Sequence, residues 1–317
     1  MTPTRSLSSA VARFLAEASP PIPAERRHDL ALAAAAAGRG GRAALGLYGR
    51  EGIEVSEKAE NDPVTAADHA SNREVLASLH SARPGDPILS EESVAGPANA
   101  RARAPGDRPR AAGPPARLWI VDPLDGTKEF LAGNGEFAVM VGLAEEGRAV
   151  LGAVYQPAAD LLYVGLPDAG AWAVAGAQQI REPDRLRAAG TPGEELRLAR
   201  SRSHPDAALE RLTKSLGRVE VVRSGSVGIK CALVASGGAD LYVHPVPHLK
   251  EWDTCAPEAV LRGAGGRVSD CSGRPLRYGK PDPRQPRGIV AAVPDAWPMA
   301  LAALRTAVPE LSLRESG

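Results

Sequence analysis

The pattern of hydrophobic and polar positions changes along this chain, and each pattern predicts a different kind of element. In the middle of the chain, short apolar runs are separated by glycine, proline and acidic residues. Apolar runs of this length between turn-forming residues predict β-strands, and their close spacing predicts an antiparallel meander. The predicted strands of this meander span residues 137–144, 149–155, 161–166 and 171–174.

Strands and helices alternate after residue 196, which is a different arrangement. A glycine-rich stretch at residues 263–266 follows the last predicted helix of this part and indicates its C-terminal cap. The change of pattern places a boundary between two subdomains near residue 190. The predicted strands here span residues 197–201, 219–222 and 241–243, and the predicted helices span residues 229–236 and 254–262.

Two helices are predicted before the meander. Residues 29–47 are rich in Ala and Leu, although the glycines at positions 38, 40 and 41 could divide this helix. Residues 65–79 carry apolar side chains at helical spacing. Residues 1–27 are rich in Ser, Ala and Pro and are predicted to be an N-terminal extension, which could include a short amphipathic helix at residues 11–18. Residues 95–115 are rich in Ala, Arg, Pro and Gly and are predicted to be a surface loop.

The composition excludes some classes of function. The chain has 317 residues and a formal net charge of zero, so no overall field attracts nucleic acid or an anionic membrane. Its three cysteines form no Cys-x-x-Cys pair, and their odd number argues against a disulfide framework. No apolar stretch approaches the roughly 18 residues that a membrane span needs. We expect a soluble, cytoplasmic monomer or homodimer with no nucleic acid polymer as partner and no membrane span.

The most informative motif follows a short apolar run that starts at Leu118. This run ends in two carboxylates three residues apart, Asp122 and Asp125. A proline between them stiffens the chain and Gly126 permits a sharp turn, so both acids can converge on one point. Carboxylates gathered in this way indicate a hard cation, and the exposed N–H groups and hydroxyl at Thr127 make a phosphate seat. The motif therefore predicts metal-assisted phosphoryl chemistry.

This motif is one of four short blocks that follow one another along the chain. The blocks are Asp-Pro-Val-Thr-Ala-Ala-Asp at residues 62–68, Leu-Ser-Glu-Glu-Ser at 89–93, Asp-Pro-Leu-Asp-Gly-Thr-Lys-Glu-Phe at 122–130 and Glu-Trp-Asp-Thr-Cys-Ala at 251–256. Together they resemble the signature of the lithium-sensitive, magnesium-dependent phosphomonoesterases of the inositol monophosphatase superfamily. The Lys-Glu-Phe ending is most similar to the 3′(2′),5′-bisphosphate nucleotidases.

The resemblance spans residues 50–290 and implies a fold as well as a function. The fold is of the α/β (α+β) class, a layered α-β-α-β-α sandwich of the inositol monophosphatase and sugar phosphatase type. Its N-terminal α+β subdomain, with the metal-binding motifs, would cover residues 28–190. Its C-terminal α/β subdomain, with the substrate-binding segments, would cover residues 191–317, and the site would lie between the two.

The resemblance also implies two or three Mg²⁺ ions in each site. One ion would be held by Glu91, Asp122 and the backbone carbonyl of Leu124, while Asp122 would bridge to a second ion completed by Asp125 and Asp253. Glu92 and Lys58 would belong to the surroundings of a third, weaker ion. Each residue has a plainer interpretation as well. Glu91 and Glu92 could form a solvated turn, Lys58 could be solvated, and Asp253 could be the N-cap of a helix that opens at Thr254.

The same resemblance implies a catalytic pair. Asp68 would orient and deprotonate the hydroxyl of Thr127, which in turn activates the attacking water, and no covalent phosphoenzyme is expected. The predicted sign of this pair is a hydrogen bond between Thr127 and Asp68. The alternative for Asp68 is structural, because residues 65–68 also form a capping box that contributes about 1 kcal/mol without any catalysis.

Further residues are candidates for substrate binding. Small residues lead into Lys230 at a predicted helix start, which is an arrangement that can take an anion. The nucleotidases resemble this segment, and there the lysine holds the second phosphate, although Gly228 stands where many of them carry Ser. Where inositol phosphatases carry a Glu, this chain has His244, which argues against a polyol. The implied substrate contacts are Gly126, Thr127, Ser201, His204, Ser226, Lys230 and Asp253, although Ser201 and His204 could instead belong to an ordinary strand end.

We therefore expect a Mg²⁺-dependent enzyme that removes the 3′-phosphate of adenosine 3′,5′-bisphosphate to give AMP, and that acts on the sulfated relative of this nucleotide. The substrate is then a small phosphorylated nucleotide. The alternatives are an inositol-1-monophosphatase or other small sugar monophosphatase, and a nucleotide-binding module that has lost turnover.

Overall fold

The computed structural model describes residues 22–59, 62–94, 114–176, 184–188, 190–203 and 207–309. The described N-terminal part contains four helices and nine strands. Its helices are α1 (Ala24–Leu45), α2 (Ala66–Ala82), α3 (Glu91–Val94) and α4 (Thr127–Leu131). Its strands are β1 (Val55–Ala59), β2 (Asp62–Thr65), β3 (Ile88–Ser90), β4 (Arg117–Asp125), β5 (Ala138–Glu145), β6 (Arg148–Gln156), β7 (Leu161–Leu166), β8 (Gly170–Ala175) and β9 (Asp184–Arg185).

The described C-terminal part continues with alternating strands and helices, as the sequence predicts. Its strands are β10 (Leu196–Ser201), β11 (Val219–Ser224), β12 (Leu241–His244), β13 (Arg267–Ser269) and β14 (Ile289–Ala292). Its helices are α5 (Ala207–Ser215), α6 (Val227–Ala235), α7 (Glu251–Gly263) and α8 (Ala296–Ala307). None of the helices among the described residues is long and apolar enough to cross a membrane.

Strands β3 to β9 form a seven-stranded sheet in sequence order. β3 and β4 are parallel, and every later pair in this sheet is antiparallel. The meander predicted for residues 137–174 is therefore confirmed. Both faces of this sheet are covered, because alternate residues of β4 and β5 enter two different hydrophobic clusters.

The second sheet has five strands in the order β11-β10-β12-β14-β13. β11, β10 and β12 run parallel to one another, whereas β14 is antiparallel to both of its neighbours. Parallel strands end at the same edge of a sheet, so the last residues of these three strands, Ser224, Ser201 and His244, lie along one edge. Substrate sites of α/β sheets form at such edges.

The layers follow from the hydrophobic clusters. α1 and α2 pack on one face of the seven-stranded sheet, α6 and α7 lie between the two sheets, and α5 and α8 cover the outer face of the five-stranded sheet. This is the layered α-β-α-β-α sandwich that the sequence implies. A hairpin of β1 and β2 lies beside these layers and leads into α2.

Two expectations for helix boundaries need correction. α1 begins at Ala24, inside the segment predicted to be an extension, and the glycines at 38, 40 and 41 do not divide it. Two of them are needed for packing: a Cβ on Gly40 would lie 2.6 Å from the hydroxyl of Ser71, and one on Gly41 would lie 2.5 Å from the ring of Tyr155. Close approach to α2 and the sheet therefore outweighs the low helix propensity of glycine.

The expectation that Asp253 is the N-cap of a helix opening at Thr254 is also wrong. α7 begins earlier, at Glu251, and Lys250 occupies the N-cap position. Asp253 is the third helical residue, and its carboxylate accepts a hydrogen bond from the Lys250 backbone N–H at 2.6 Å. Asp253 therefore still caps the helix, but from inside its first turn.

Candidate active site

β4 carries two of the carboxylates of the site, Asp122 and Asp125. The pairing of β4 with β5 is irregular between Asp122 and Asp125, so the strand bends between these two acids. The backbone N–H of Leu124 donates to the Asp122 carboxylate at 3.0 Å, which fixes that side chain. Gly126 follows with φ 101° and ψ 44°, a left-handed conformation that glycine adopts at low cost, and α4 starts at Thr127.

Three carboxylates converge at this bend. Asp122, Asp125 and Asp253 offer oxygen atoms that all lie within 4.8 Å of one another. Asp122 is buried, and the other two are half-buried. The first two come from the end of β4 and the third from the first turn of α7, so both parts of the chain contribute. Oxygen-only ligand sets of this kind suit hard divalent cations.

The electrostatics of the cluster support the same interpretation. Removal from water raises the pKa of Asp253 well above its ordinary value, and the neighbouring charges of Glu91 and Asp125 raise it further. Removal from water likewise raises the pKa of Asp125, against the opposing effect of Lys230. Carboxylates that repel one another in this way are stabilised by a cation placed among them, so the residues present fit a divalent metal.

Asp68 and Thr127 make the hydrogen bond that the sequence predicts. The Thr127 hydroxyl donates to Oδ1 of Asp68 at 3.1 Å and has a longer contact of 3.4 Å with the Leu124 carbonyl. The other oxygen, Oδ2, accepts from the backbone N–H and from the hydroxyl of Thr65, each at 2.7 Å. The capping box and the contact with Thr127 therefore exist together on one carboxylate.

Of the two glutamates after β3, Glu91 lies near the carboxylate cluster and Glu92 contacts a neighbouring histidine. Glu91 is the first residue of α3 and is close enough to Asp253 to raise its pKa. Glu92 lies 3.6 Å from Nδ1 of His69, which follows Asp68 directly in the first turn of α2.

The start of α6 adjoins the carboxylate cluster. Ser226 is its N-cap, and the Ser226 hydroxyl and the Gly228 N–H both donate to Oδ2 of Asp125, at 2.5 and 2.9 Å. Lys230 lies inside the protein with 4% of its surface exposed, and burial lowers its pKa. Its ammonium donates to the carbonyls of Gly225 and Ser226. Ser226 therefore contacts Asp125, and Lys230 contacts the carbonyls of the adjoining turn. Their predicted contact with substrate stays a prediction.

Segment 201–203 is tied to the signature helix α4. Ser203 donates a hydrogen bond to Glu129 of α4. Arg202 forms a bidentate ion pair with the Glu136 carboxylate, with N–O distances of 2.6 and 2.8 Å. Arg202 lowers the pKa of Glu136. The sequence interpretation missed both glutamates as site residues, although Glu129 stands in the Lys-Glu-Phe block. Ser201 ends β10 next to this junction.

Two side chains that the sequence predicts at the site, those of His204 and Lys58, lie outside the described part of the structure. His204 lies outside the described residues, as does most of the loop predicted at residues 95–115. Lys58 belongs to β1, and its side chain is likewise outside the described part of the structure. The predicted roles of both side chains stay predictions.

Comparison with known proteins identifies the family. The sequence model of the inositol monophosphatase family matches residues 25–310. The chain belongs to this family. The family match covers all of the carboxylates described above and both sheets.

Individual members of the inositol monophosphatase family are similar over most of the chain. The 3′(2′),5′-bisphosphate nucleotidase CysQ of Escherichia coli (strain K12) is 38% identical over 239 residues, which cover 75% of this chain and 89% of that protein. The 3′-phosphoadenosine 5′-phosphate phosphatase of Mycobacterium leprae (strain TN) is 33% identical over 281 residues, 87% of this chain and 93% of that protein.

A solved structure shows the same architecture. CysQ from Bacteroides thetaiotaomicron, a bacterial member of the family, superposes with a TM-score of 0.67 at 34% sequence identity, and the match covers 83% of this chain and 97% of that chain. The Thermotoga maritima IMPase TM1415 superposes with a TM-score of 0.70 at 22% identity and supports the fold alone.

Proposed function

We propose that this protein is a Mg²⁺-dependent 3′(2′),5′-bisphosphate nucleotidase that removes the 3′-phosphate of adenosine 3′,5′-bisphosphate to give AMP. Its sulfated relative would be a second substrate. The observation that carries the hydrolytic part is the 3.1 Å hydrogen bond between Thr127 and Asp68 beside the carboxylate cluster. The choice of substrate is supported by the two nucleotidase relatives, at 38% and 33% identity.

Mg²⁺ would be held by Asp122, Asp125, Asp253, Glu91 and the Leu124 carbonyl. Magnesium prefers oxygen ligands, which is what this set offers. When bound, the ions lower the pKa of a water ligand and neutralise charge on the phosphate. Glu92 with Lys58 would surround a third ion.

The protein's own residues provide the proton path. Asp68 holds the Thr127 hydroxyl with the proton directed at Oδ1, which leaves the lone pairs of the Thr127 oxygen to accept a hydrogen bond from the attacking water. As the water oxygen bonds to phosphorus in line, its proton passes to Thr127 and the threonine proton passes to Asp68. On the opposite side the bond between phosphorus and the ribose 3′ oxygen breaks, and that oxygen takes up a proton from solvent. Thr65 keeps Asp68 oriented through Oδ2, so the accepting oxygen is the one that faces Thr127.

The substrate phosphate would be seated by the backbone N–H groups of Gly126 and Thr127. The rest of the nucleotide would extend along the edge where β10, β11 and β12 end, near Ser201, His204 and Ser226. His244 at this edge, in place of an acidic residue, favours an anionic or aromatic ligand over a polyol. We place the reaction in the cytoplasm, with the enzyme as a monomer or homodimer.

The test is phosphate release by purified protein with Mg²⁺, comparing adenosine 3′,5′-bisphosphate with inositol 1-phosphate and fructose 1,6-bisphosphate. We expect a preference of about hundredfold in kcat/KM for the nucleotide, or about 2.7 kcal/mol of transition-state binding. Chelation of the metal serves as the control and should abolish release. A preference for inositol 1-phosphate would overturn the substrate assignment, and no release from any substrate would overturn the proposed activity.

A further inference from the structure

The loop between α4 and β5 carries Glu136, and two side-chain contacts hold its backbone. The Gln156 side-chain amide donates to the Gly135 carbonyl at 3.0 Å, and the Glu136 N–H donates to the Asn134 side chain at 2.9 Å. Because Gln156 belongs to β6, the first contact ties the loop to the seven-stranded sheet. The Glu136 carboxylate therefore extends from a backbone that the N-terminal part of the chain holds in place.

The Glu136 carboxylate joins two separate segments of the five-stranded sheet. One is the end of β10, since Arg202 donates to Oε2 through Nε at 2.8 Å and to Oε1 through Nη2 at 2.6 Å. The other is the turn after β11, since the Gly225 N–H donates to Oε2 at 2.7 Å. Nη2 of Arg202 also donates to the Arg223 carbonyl at 3.1 Å. One carboxylate and one guanidinium therefore connect the signature region to the ends of β10 and β11.

A second glutamate holds the same two segments. Ser203 donates a hydrogen bond to Glu129 of α4, a residue with only 3% of its surface exposed. The Glu129 side chain also lies against the turn after β11, because a Cβ on Gly225 would overlap with it. The residues at positions 202 and 203 are thus each bonded to a glutamate from the N-terminal part of the chain.

These contacts lie directly beside residues that we expect to bind the nucleotide. Ser201 precedes Arg202, and Ser226 follows Gly225. Lys230 donates to the Gly225 carbonyl at 3.1 Å and so shares the same turn. In the ion pair, 43% of the arginine side chain and 22% of the glutamate side chain are exposed, and a pair of this kind adds little to overall stability. Its main effect is therefore on the relative placement of the two segments.

We infer that Glu136 and Arg202 are positioning residues, whose ion pair holds the segments around Ser201 and Ser226 at the spacing that the nucleotide requires. This inference rests on the proposed function, because it concerns the nucleotide-binding part of that site. The turn at Ser226 keeps its contacts with Lys230 and Asp125 when the ion pair is lost. Loss of the pair should therefore weaken nucleotide binding and spare the metal site.

The experiment compares Glu136→Gln, Arg202→Met and the double variant with wild type. It measures the Kd for AMP by calorimetry with Mg²⁺, and kcat and KM for adenosine 3′,5′-bisphosphate. We expect each single substitution to raise Kd and KM by about tenfold and to change kcat less than threefold. Because both remove the same interaction, the double variant should be no weaker than either single variant.

The sign of the Glu136→Gln effect separates positioning from simple charge. Loss of a negative charge beside the site would by itself strengthen the binding of an anionic nucleotide and lower Kd. A positioning role requires Kd to rise, so a lower or unchanged Kd in Glu136→Gln contradicts the inference. A loss confined to Arg202→Met, or additive losses in the double variant, would mean that Arg202 binds the nucleotide directly, and this would overturn the inference too.

A third measurement distinguishes this role from a general structural one. The Mg²⁺ concentration that gives half of the rise in Tm should stay within about twofold of wild type in each variant, since the carboxylate cluster keeps its contacts. An increase of about tenfold or more would place the effect at the metal site and refute the inference. If Arg202→Met or Glu136→Gln does not fold, Ser203→Ala decides the question, because it removes the contact with Glu129 and should raise Kd in the same way.

Glu145→Gln is the matched control. Glu145 forms a bidentate ion pair with Arg26, with N–O distances of 2.8 and 2.9 Å, at the end of β5 that lies away from the site. This substitution should change neither Kd nor KM. If wild type neither hydrolyses nor binds the nucleotide, the proposed function fails and the inference fails with it. An active wild type with unchanged Kd and KM in the variants would overturn the inference alone.

Discussion

Asp68 shows how one residue combines a structural and a chemical role. Its Oδ2 belongs to the capping box of α2. Its Oδ1 accepts a hydrogen bond from the hydroxyl of Thr127, which is 59 positions away in the sequence. The local pattern of residues 65–68 predicts the first contact from sequence alone. The second contact depends on how α2 packs beside β4. Because each oxygen has its own partner, the two roles can be separated by substitution.

Asp68→Asn is expected to abolish most turnover while preserving nucleotide binding. An amide cannot accept the threonine proton, so kcat should fall by about 10²- to 10⁴-fold, the usual contribution of a general base. The dissociation constant for AMP, measured by calorimetry with Mg²⁺, should change less than threefold, since Asp68 does not contact the nucleotide in this mechanism.

Thr65→Ala is the control for this substitution. It removes the hydroxyl that accepts from Ala67 and donates to Oδ2 of Asp68, and it costs about 1 kcal/mol of stability. The Thr65 backbone N–H still donates to Oδ2, so Oδ1 stays directed at Thr127. The kcat of Thr65→Ala should therefore fall far less than that of Asp68→Asn. Equal losses of kcat in the two variants, or loss of AMP binding in Asp68→Asn, would show that Asp68 acts only through the helix.

At the scale of elements, α7 is the helix on which the site depends. It lies between the two sheets and carries Asp253 in its first turn. Glycines of the seven-stranded sheet allow it to approach closely. A Cβ on Gly142 of β5 would lie 2.9 Å from the backbone nitrogen of Ala256, and one on Gly152 of β6 would lie 2.7 Å from its Cα. The position of Asp253 is therefore set by how closely the helix backbone meets the sheet.

Gly152→Ala is expected to destabilise the protein by about 2 kcal/mol and to weaken catalysis. The added methyl group meets helix backbone, which cannot move aside as a side chain can, and overpacking of this kind typically costs 1–3 kcal/mol. Thermal unfolding should show a decrease in Tm of roughly 4–8 °C, and KM for Mg²⁺ should rise because Asp253 shifts. Gly85→Ala is the control, since a Cβ there meets nothing within 4 Å. Equal Tm values for Gly152→Ala and wild type would contradict this account of α7.

The sequence predicted these elements better than their exact limits. The meander, the capping box of α2 and the helix after Ser226 are local patterns, and the structure has all of them. Two limits were missed for a physical reason. The glycines of α1 and the early start of α7 are decided by packing against other layers, which a local pattern does not contain.

At the scale of the whole molecule, the site also combines features that local sequence patterns predict with features that depend on packing between layers. Its carboxylates were predictable because they stand in short motifs that resemble a known family. The contacts that link the signature helix to the second sheet were not. Glu129 accepts a hydrogen bond from Ser203, which is 74 positions away in the sequence. Glu136 accepts one from the Gly225 N–H, which is 89 positions away. Such pairs form only when both sheets are in place, so no window of the sequence reveals them.

The interior between the layers also contains an ionisable group that makes the stability of the whole fold depend on pH. Glu258 of α7 is 4% exposed, and burial raises its pKa, although hydrogen bonds from Tyr278 and Arg262 oppose this effect. Tyr278 donates to one carboxylate oxygen at 2.5 Å, and Arg262 donates to the other at 3.2 Å. The neutral form is therefore favoured more strongly in the folded protein than in the unfolded chain.

Because the pKa of Glu258 is higher in the folded protein than in the unfolded chain, the direction in which the free energy of unfolding changes with pH is determined. Below the ordinary carboxyl pKa, Glu258 is protonated in both states and contributes no pH dependence. As the pH rises, the unfolded chain loses this proton first, so the folded state binds more protons and the free energy of unfolding falls until the raised pKa is passed. Glu258→Gln should remove this decrease. Its stability relative to wild type, measured by urea unfolding at each pH, should therefore increase as the pH rises above the ordinary carboxyl pKa.

Glu210→Gln is the matched control, because the exposed Glu210 pairs with Arg200, which lowers its pKa. The folded state then favours the charged form, so the stability of Glu210→Gln relative to wild type should fall as the pH rises to the ordinary carboxyl pKa and should not change above it. Both variants replace a helical glutamate by its amide and differ in burial and in partner. A pH-independent difference between Glu258→Gln and wild type would show that the buried carboxyl ionises equally in both states, and burial would then not control its protonation.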